Sequence, residues 1–342
     1  MTNLTVRLPA PPVSWQVRIR LVAVCLGLAV LAFLAFCLGV GLGDIPLGLG
    51  EVVGALFGQG EQGQLFVVWQ LRLPRALVGL MAGAAFGLSG ALFQTMTRNP
   101  LASPDMIGVT QGAGVAVVAG MVFGLDAGPG VQVLAFAGAV AAALLTYLLA
   151  WRRGVTGYRV VLVGIGLSWM FTSATEYLMV ITEVLQSQAA LGWLFGNLNG
   201  RTWDQVTPLA LALAVLAPLT FLLGRSSRAL QLGEDVAVVL GTPVQRARLA
   251  LLATGVGLVA FGTAAAGPVA FVALAAPQIA RRLAGTAWPP PLASALTGAF
   301  LVLAADLVAR RVIPDLELPV GVVTGVLGAP LLLWLLARAR RA

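Results

Sequence analysis

The sequence predicts an all-α polytopic membrane protein of about ten transmembrane helices, and three observations predict it. Of its 342 residues, 59% are hydrophobic and 10% charged, against about 25% charge in an ordinary soluble domain. The mean hydropathy of +0.95 excludes a soluble globular enzyme. Runs such as residues 17–40 and 247–266 are apolar all round, with Gly and Ala interspersed, whereas barrel strands would alternate. A helical crossing takes roughly 20 apolar residues, so the crossings and their short loops consume the chain as one integral domain over 17–342.

Taken in order, a tail over 1–16 precedes a first run at 17–40, too long for a removable signal. Further runs bounded by Arg, Pro or polar turns fall at 74–95, 106–124, 131–151, 159–181, 205–223, 247–266, 268–285, 291–309 and 319–337. An even number puts both termini on one side. Sixteen of the 21 arginines fall on that side with three acids, Asp105, Glu234 and Asp235; the other face has five arginines and ten acids. Arg marks cytoplasmic loops, so both termini are expected in the cytoplasm, and the net charge of +8 reflects topology rather than nucleic-acid binding.

Three connections exceed a turn. Residues 41–73, outside, could hold a short helix around 49–57, and 183–204 is also outside. The third, 225–246, is inside. Its stretch 229–240 has early acids and helically spaced apolar residues, and Gly241-Thr242-Pro243 stops it, so one short helix is expected there on the cytoplasmic surface.

Lys and His are absent. Without Lys there is no Walker A phosphate loop, and without His no zinc helix or Ser-His-Asp triad, so any ATP hydrolysis belongs to another chain. Cys25 and Cys37 lie on one predicted helix about 18 Å apart by the helical rise, too far to bridge. Gly58-Gln59-Gly60-Glu61-Gln62-Gly63 matches a dinucleotide fingerprint formally but lacks the flanking strand and helix. Gly79, Gly83 and Gly87 recur every fourth residue. That stripe suits close helix packing within the subunit or, alternatively, a subunit interface.

Among the outward arginines, Arg72 and Arg75 bracket the entry of the second span, and Arg310 and Arg311 end the ninth. They run against the positive-inside bias. They could dock an acidic surface or attract an anionic solute, or they could snorkel or pair locally, since Asp306 precedes Arg310 by four residues. Glu176 and Asp306 are acids inside predicted spans, each near the outer interface, which favours local pairing or a watery vestibule over a proton relay.

From Arg72-Leu73-Pro74-Arg75 through Gly87-Leu88-Ser89-Gly90 to Asn99-Pro100-Leu101-Ala102-Ser103-Pro104, the chain resembles the FecCD family. Its members are permease subunits of ABC importers for ferric siderophores, haem and cobalamin. The likeness continues through Ile107-Gly108-Val109, Leu232-Gly233-Glu234, Leu240-Gly241-Thr242-Pro243, Ala266-Gly267-Pro268, Asp306 to Arg310, Glu317-Leu318-Pro319 and Leu327-Gly328-Ala329-Pro330. Two departures are Gln278, where the family has a His, and Ala273, where it has a Gly.

The resemblance implies a cobalamin-importer-like permease fold in the bacterial cytoplasmic (inner) membrane, transporting by alternating access and performing no covalent chemistry. The partners implied are a second permease subunit, identical or similar, two ABC ATPases carrying ATP and Mg, and an extracytoplasmic substrate-binding protein. No cofactor is expected on this chain. By the same resemblance, Leu232, Gly233, Glu234, Leu240, Gly241, Arg246 and Arg248 form the ATPase coupling region. Asn99, Pro100, Leu101, Thr156 and Gly157 match the cytoplasmic gate. Arg72, Arg75, Arg310 and Arg311 are assigned to binding-protein docking. The favoured cargo is a ferric siderophore, with haem or cobalamin as alternatives. An ion-coupled secondary transporter, the rival from another class, would need titratable groups near the midplane. A permease for free zinc or manganese would need carboxylate or imidazole ligands along the path.

Overall fold

A computed structural model describes residues 3–8, 13–43, 48–124, 128–151, 157–313 and 317–339. The tail carries a two-stranded antiparallel hairpin, β1 (Asn3–Leu8) with β2 (Val13–Arg18), and the rest of the described structure is helical. Helix α1 (Ile19–Gly41) leads through α2 (Leu49–Leu56) to α3 (Gln62–Phe66). A π-helical turn, Val67–Arg72, joins α3 to α4 (Leu73–Thr97), so that Gln62–Thr97 is one continuous rod. There follow α5 (Val109–Val122), α6 (Pro129–Ala150), α7 (Gly157–Ile181), α8 (Val184–Leu194) and α9 (Trp203–Leu222). After α10 (Gly224–Gln231) and α11 (Glu234–Val239) come α12 (Val244–Ala266), α13 (Val272–Ala284), α14 (Pro291–Ala309) and α15 (Val320–Ala339).

Every one of the ten apolar runs is helical, but they are not alike. Seven described helices are long and apolar enough to cross a membrane. Helices α5 and α13, with 14 and 13 residues, extend only about 20 Å at the helical rise, short of the roughly 30 Å hydrocarbon core. This corrects the expectation of full spans at 106–124 and 268–285. Each crossing is instead completed by irregular backbone. Before α5, Pro100, Pro104 and Gly108 (φ +78°) interrupt the helix with one 3₁₀ turn, Pro104–Ile107. Before α13, Gly267 (φ +77°), Pro268 and Phe271 (φ +64°) do the same.

Helix α4 is the centre of the bundle. Its membrane window is 78% buried by the rest of the chain, against 17% for α1 at the periphery. The glycine stripe accounts for this. A Cβ on Gly83 would overlap the Gly298 carbonyl, one on Gly87 the Ser294 carbonyl, and one on Gly90 the Ala273 carbonyl. Backbone therefore touches backbone along α4–α14 and α4–α13, the contact that drives association where lipid is as apolar as the side chains. The stripe is thus used inside the subunit. Pro277 deprives the Ala273 carbonyl of its usual helical N–H partner, and Gly90 lets α4 close over that oxygen. On the other flank, Ser89 Oγ donates to the Gly255 carbonyl of α12 at 2.7 Å.

The connection over 225–246 departs from expectation. In place of one helix over 229–240, the chain forms α10 and α11, separated at Leu232-Gly233. Gly233 adopts φ +110°, a conformation that breaks helical propagation and is open to glycine. Gly241 at φ +76° ends α11, as the sequence predicts.

Candidate functional site

Three places concentrate the polar chemistry of the chain: the end of the bundle where α4 begins and α14 ends, the short helices α10 and α11 near the far end of α4, and the cavity walls between them.

Where α4 begins, Arg72 closes the π-helical turn and is buried. Its Nη1 donates to the carbonyls of Val40 and Gly41, both at 3.1 Å. These are terminal carbonyls of α1, which lack helical partners, so the guanidinium caps that helix. One turn further, Arg75 donates from Nε and Nη2 to Asp306 Oδ1 at 3.2 and 3.0 Å. Its Nη1 donates to both Glu317 oxygens at 3.2 and 3.0 Å. The second Asp306 oxygen receives Arg310 Nε at 3.0 Å and pairs with Arg310 Nη2, while Arg310 Nη1 donates to the Gly39 carbonyl at 3.2 Å.

Asp306, only 2% exposed, is thus held between two arginines from different helices. A network satisfied on both sides is the form in which buried charge is tolerable. The local-pairing alternative for Asp306 and Arg310 is realised. The arginines in it join α1, α4, α14 and the segment before α15. Arg311, by contrast, is exposed.

The sequence reading did not single out Arg201, the fifth outward arginine, because no motif surrounds it. Its Nε donates to the Asn197 carbonyl at 2.9 Å, and burial without a carboxylate lowers its pKa to about 10.

On α10 and α11, Leu230 and Ala237 are buried while Leu232, Val238, Val239 and Leu240 are exposed, leaving an apolar face uncovered. Glu234 of α11 pairs with Arg248 of α12, so the short helix is bonded to the foot of a long one. Gly233 lies against the Arg98 guanidinium, 3.8 Å from an added Cβ; Gly241 and Arg246 are exposed. Asn99 Oδ1 accepts the Leu101 N–H at 2.9 Å and the Asn99 carbonyl accepts the Ala102 N–H at 3.2 Å. That tight turn, with Pro100 exposed at its tip, ends α4. Gly157 opens α7, and Thr156 lies outside the described residues.

Between these ends lie two cavities of about 390 and 560 Å³. The irregular backbone before α5 and α13 lines the first, through Ser103, Asp105 and Pro268 to Phe271. Non-helical backbone at membrane depth is expected only where protein or a cavity satisfies it. The second cavity is walled by α5, α7 and α8 and includes Thr172, Thr175 and Glu176. Asp105, counted from sequence among the acids of the cytoplasmic loops, instead faces the first cavity. Thr110 Oγ1 lies 2.8 Å from its Oδ1. Beneath the cavity, Gln94 Nε2 donates to the Leu274 carbonyl at 3.0 Å, and Gln278 Nε2 donates to Gln94 Oε1. Gln278 therefore serves as a buried clamp between α4 and α13.

Comparison with known proteins accords with this arrangement. The model of the FecCD transport family matches residues 30–338. The chain is 40% identical over 323 residues to the ferric enterobactin transport system permease protein FepG of Escherichia coli (strain K12), covering 94% of this chain and 98% of that protein. It is 35% identical over 318 residues to the iron(3+)-hydroxamate import system permease protein FhuG of Bacillus subtilis (strain 168), covering 90% and 95%. A solved structure described as an inward-facing metal-chelate type ABC transporter superposes with a TM-score of 0.80 at 26% identity, covering 93% of this chain and 99% of that one.

Proposed function

This chain belongs to the FecCD transport family, and from that premise we propose that it is the membrane-embedded permease subunit of an ABC importer that carries a ferric siderophore into the cytoplasm by alternating access. The observation that carries the reading is the length of the match: relatives that transport iron chelates align with nearly their whole chain and nearly all of this one. The chain is a transporter subunit and not an enzyme.

The geometry supports a mechanism. In the proposal, ATP and Mg bind two partner ATPases, which seat the exposed apolar face of α10 and α11. A push on α11 passes through the Glu234–Arg248 pair to the foot of α12. That helix of 23 residues is about 34 Å long by the helical rise, and it ends two residues before Pro268, which lines the first cavity. Closure of the ATPases thereby moves the cavity wall, with the Asn99–Leu101 turn and Gly157 at the cytoplasmic exit.

Outside, an acidic substrate-binding protein docks on the arginine rim. Arg311 is exposed and has no carboxylate partner among the described residues, and Arg75 and Arg310 form the charged floor beside it. A second permease subunit completes the pathway. The arginine distribution supports cytoplasmic termini.

The test is uptake of radiolabelled ferric siderophores, haem and cobalamin by cells lacking the gene, with and without its restoration. Gene-dependent uptake of a ferric siderophore is expected. Unchanged uptake of all three classes would overturn the reading.

A further inference from the structure

The two cavities share Thr110, Gln111, Leu194 and Pro268 in their linings, so they adjoin along one wall. The charged residues lining them, among the described residues, are Asp105 and Glu176; both are acids.

The hydroxyls on this wall have already spent their protons. Thr172 Oγ1 donates to the Ser168 carbonyl and Thr175 Oγ1 to the Phe171 carbonyl, each at 2.9 Å and each four residues back on α7. Thr110 Oγ1 lies 2.8 Å from Asp105 Oδ1 and 2.9 Å from Gln111 Oε1. A hydroxyl has one proton and two lone pairs, so what these groups turn towards a solute is acceptor capacity. Among the lining side chains, Gln111 keeps N–H donors.

A carboxylate on a protein wall of lower dielectric acts on a passing charge more strongly than one in bulk water, and pores lined with carboxylates favour cations. We propose that the adjoining cavities form a passage selective for iron chelates of neutral or positive charge, with Asp105 and Glu176 as its charge-selecting residues. The proposal rests on the iron-chelate import reading and adds the charge class of the cargo. A hydroxamate chelate fits it: three hydroxamates neutralise ferric iron, and amide N–H or ammonium groups at the periphery supply donors for the acceptor-lined wall. A triscatecholate complex of charge −3 does not.

The test holds the iron core constant and changes only the charge. Cells lacking the gene receive the wild-type gene, Asp105→Asn, Glu176→Gln or both, with membrane levels matched by immunoblot. The probes are one linear ferric trihydroxamate with its pendant amine free (+1), acetylated (0) or succinylated (−1), and a ferric triscatecholate (−3). Wild-type uptake is expected to fall about tenfold from +1 to −1, and the double variant to flatten that preference to within twofold. Because outside capture is the same in every strain, the flattening reads the permease itself.

A preference unchanged in the double variant overturns the charge proposal, as does equal wild-type uptake of the three trihydroxamates. Gene-dependent uptake confined to the triscatecholate also overturns it while leaving iron-chelate import standing. Gene-dependent uptake of none of the four overturns the import reading and the charge proposal together.

Discussion

Arg75 and Asp306 stand 231 residues apart in sequence and 3.0 Å apart in the bundle, where they fasten the start of α4 to the end of α14. Asp306 also holds Arg310, so a single carboxylate satisfies two largely buried guanidinium groups. Removing one member of a buried pair leaves an uncompensated charge and costs about 3–5 kcal/mol. Asp306→Ala is expected to lose that much stability, read as the thermal unfolding midpoint of purified protein and as membrane yield. Glu317→Gln, at a half-exposed position, is expected to cost under about 1 kcal/mol.

The same geometry separates docking from folding. Arg72 caps the end of α1, so Arg72→Glu is expected to lower the amount of folded protein, whereas Arg311→Glu is expected to leave it unchanged. If Arg311 contacts an acidic partner, Arg311→Glu weakens association with the external binding protein about five- to tenfold at low salt, and the deficit shrinks as salt screens the contact. Pull-down from solubilised membranes at two ionic strengths measures both.

Gly87 faces the Ser294 carbonyl with no room for a Cβ, while Gly27 has open space around it. Gly87→Ala is expected to force α4 and α14 apart at a cost of about 1–3 kcal/mol. Gly27→Ala is expected to be neutral or slightly stabilising through helix propensity. Unfolding midpoints of the two variants, side by side, check the contrast.

Along the proposed coupling path, Glu234→Ala cuts the bond between α11 and α12 without touching the cavities. Uptake is expected to fall at least tenfold, with membrane level and binding-protein association unchanged. Deletion of residues 229–240 is expected to abolish uptake altogether. Normal uptake in both would remove α11 from the drive mechanism.

Much of this was legible in the sequence. All ten helical segments were, because hydropathy is summed over consecutive residues and each run is long. The stop at Gly241-Thr242-Pro243 and the close approach at Gly79 to Gly87 were legible for a similar reason: turn chemistry and side-chain size act locally. The interruptions at Pro104, Gly108 and Gly267-Pro268 were written there too, but a window average merges the short helices α5 and α13 with their irregular approaches and reports full spans. Gly233 was hidden in the same way within the stretch 229–240.

Sequence by itself determined the all-helical membrane architecture and, through motifs in the right order, the family. Apart from Asp306 with Arg310, which helical spacing already offered, tertiary structure decided which charges meet. It tied Arg75 to Asp306 and Glu317, gave Arg72 and Arg310 to the last turn of α1, and set Asp105 and Glu176 on the walls of adjoining cavities made from segments more than a hundred residues apart. The physical reason is range. Transfer into the bilayer and helical propensity are properties of a run of neighbours, whereas the fate of an arginine or a carboxylate depends on whichever distant helix the packing brings within 3 Å of it.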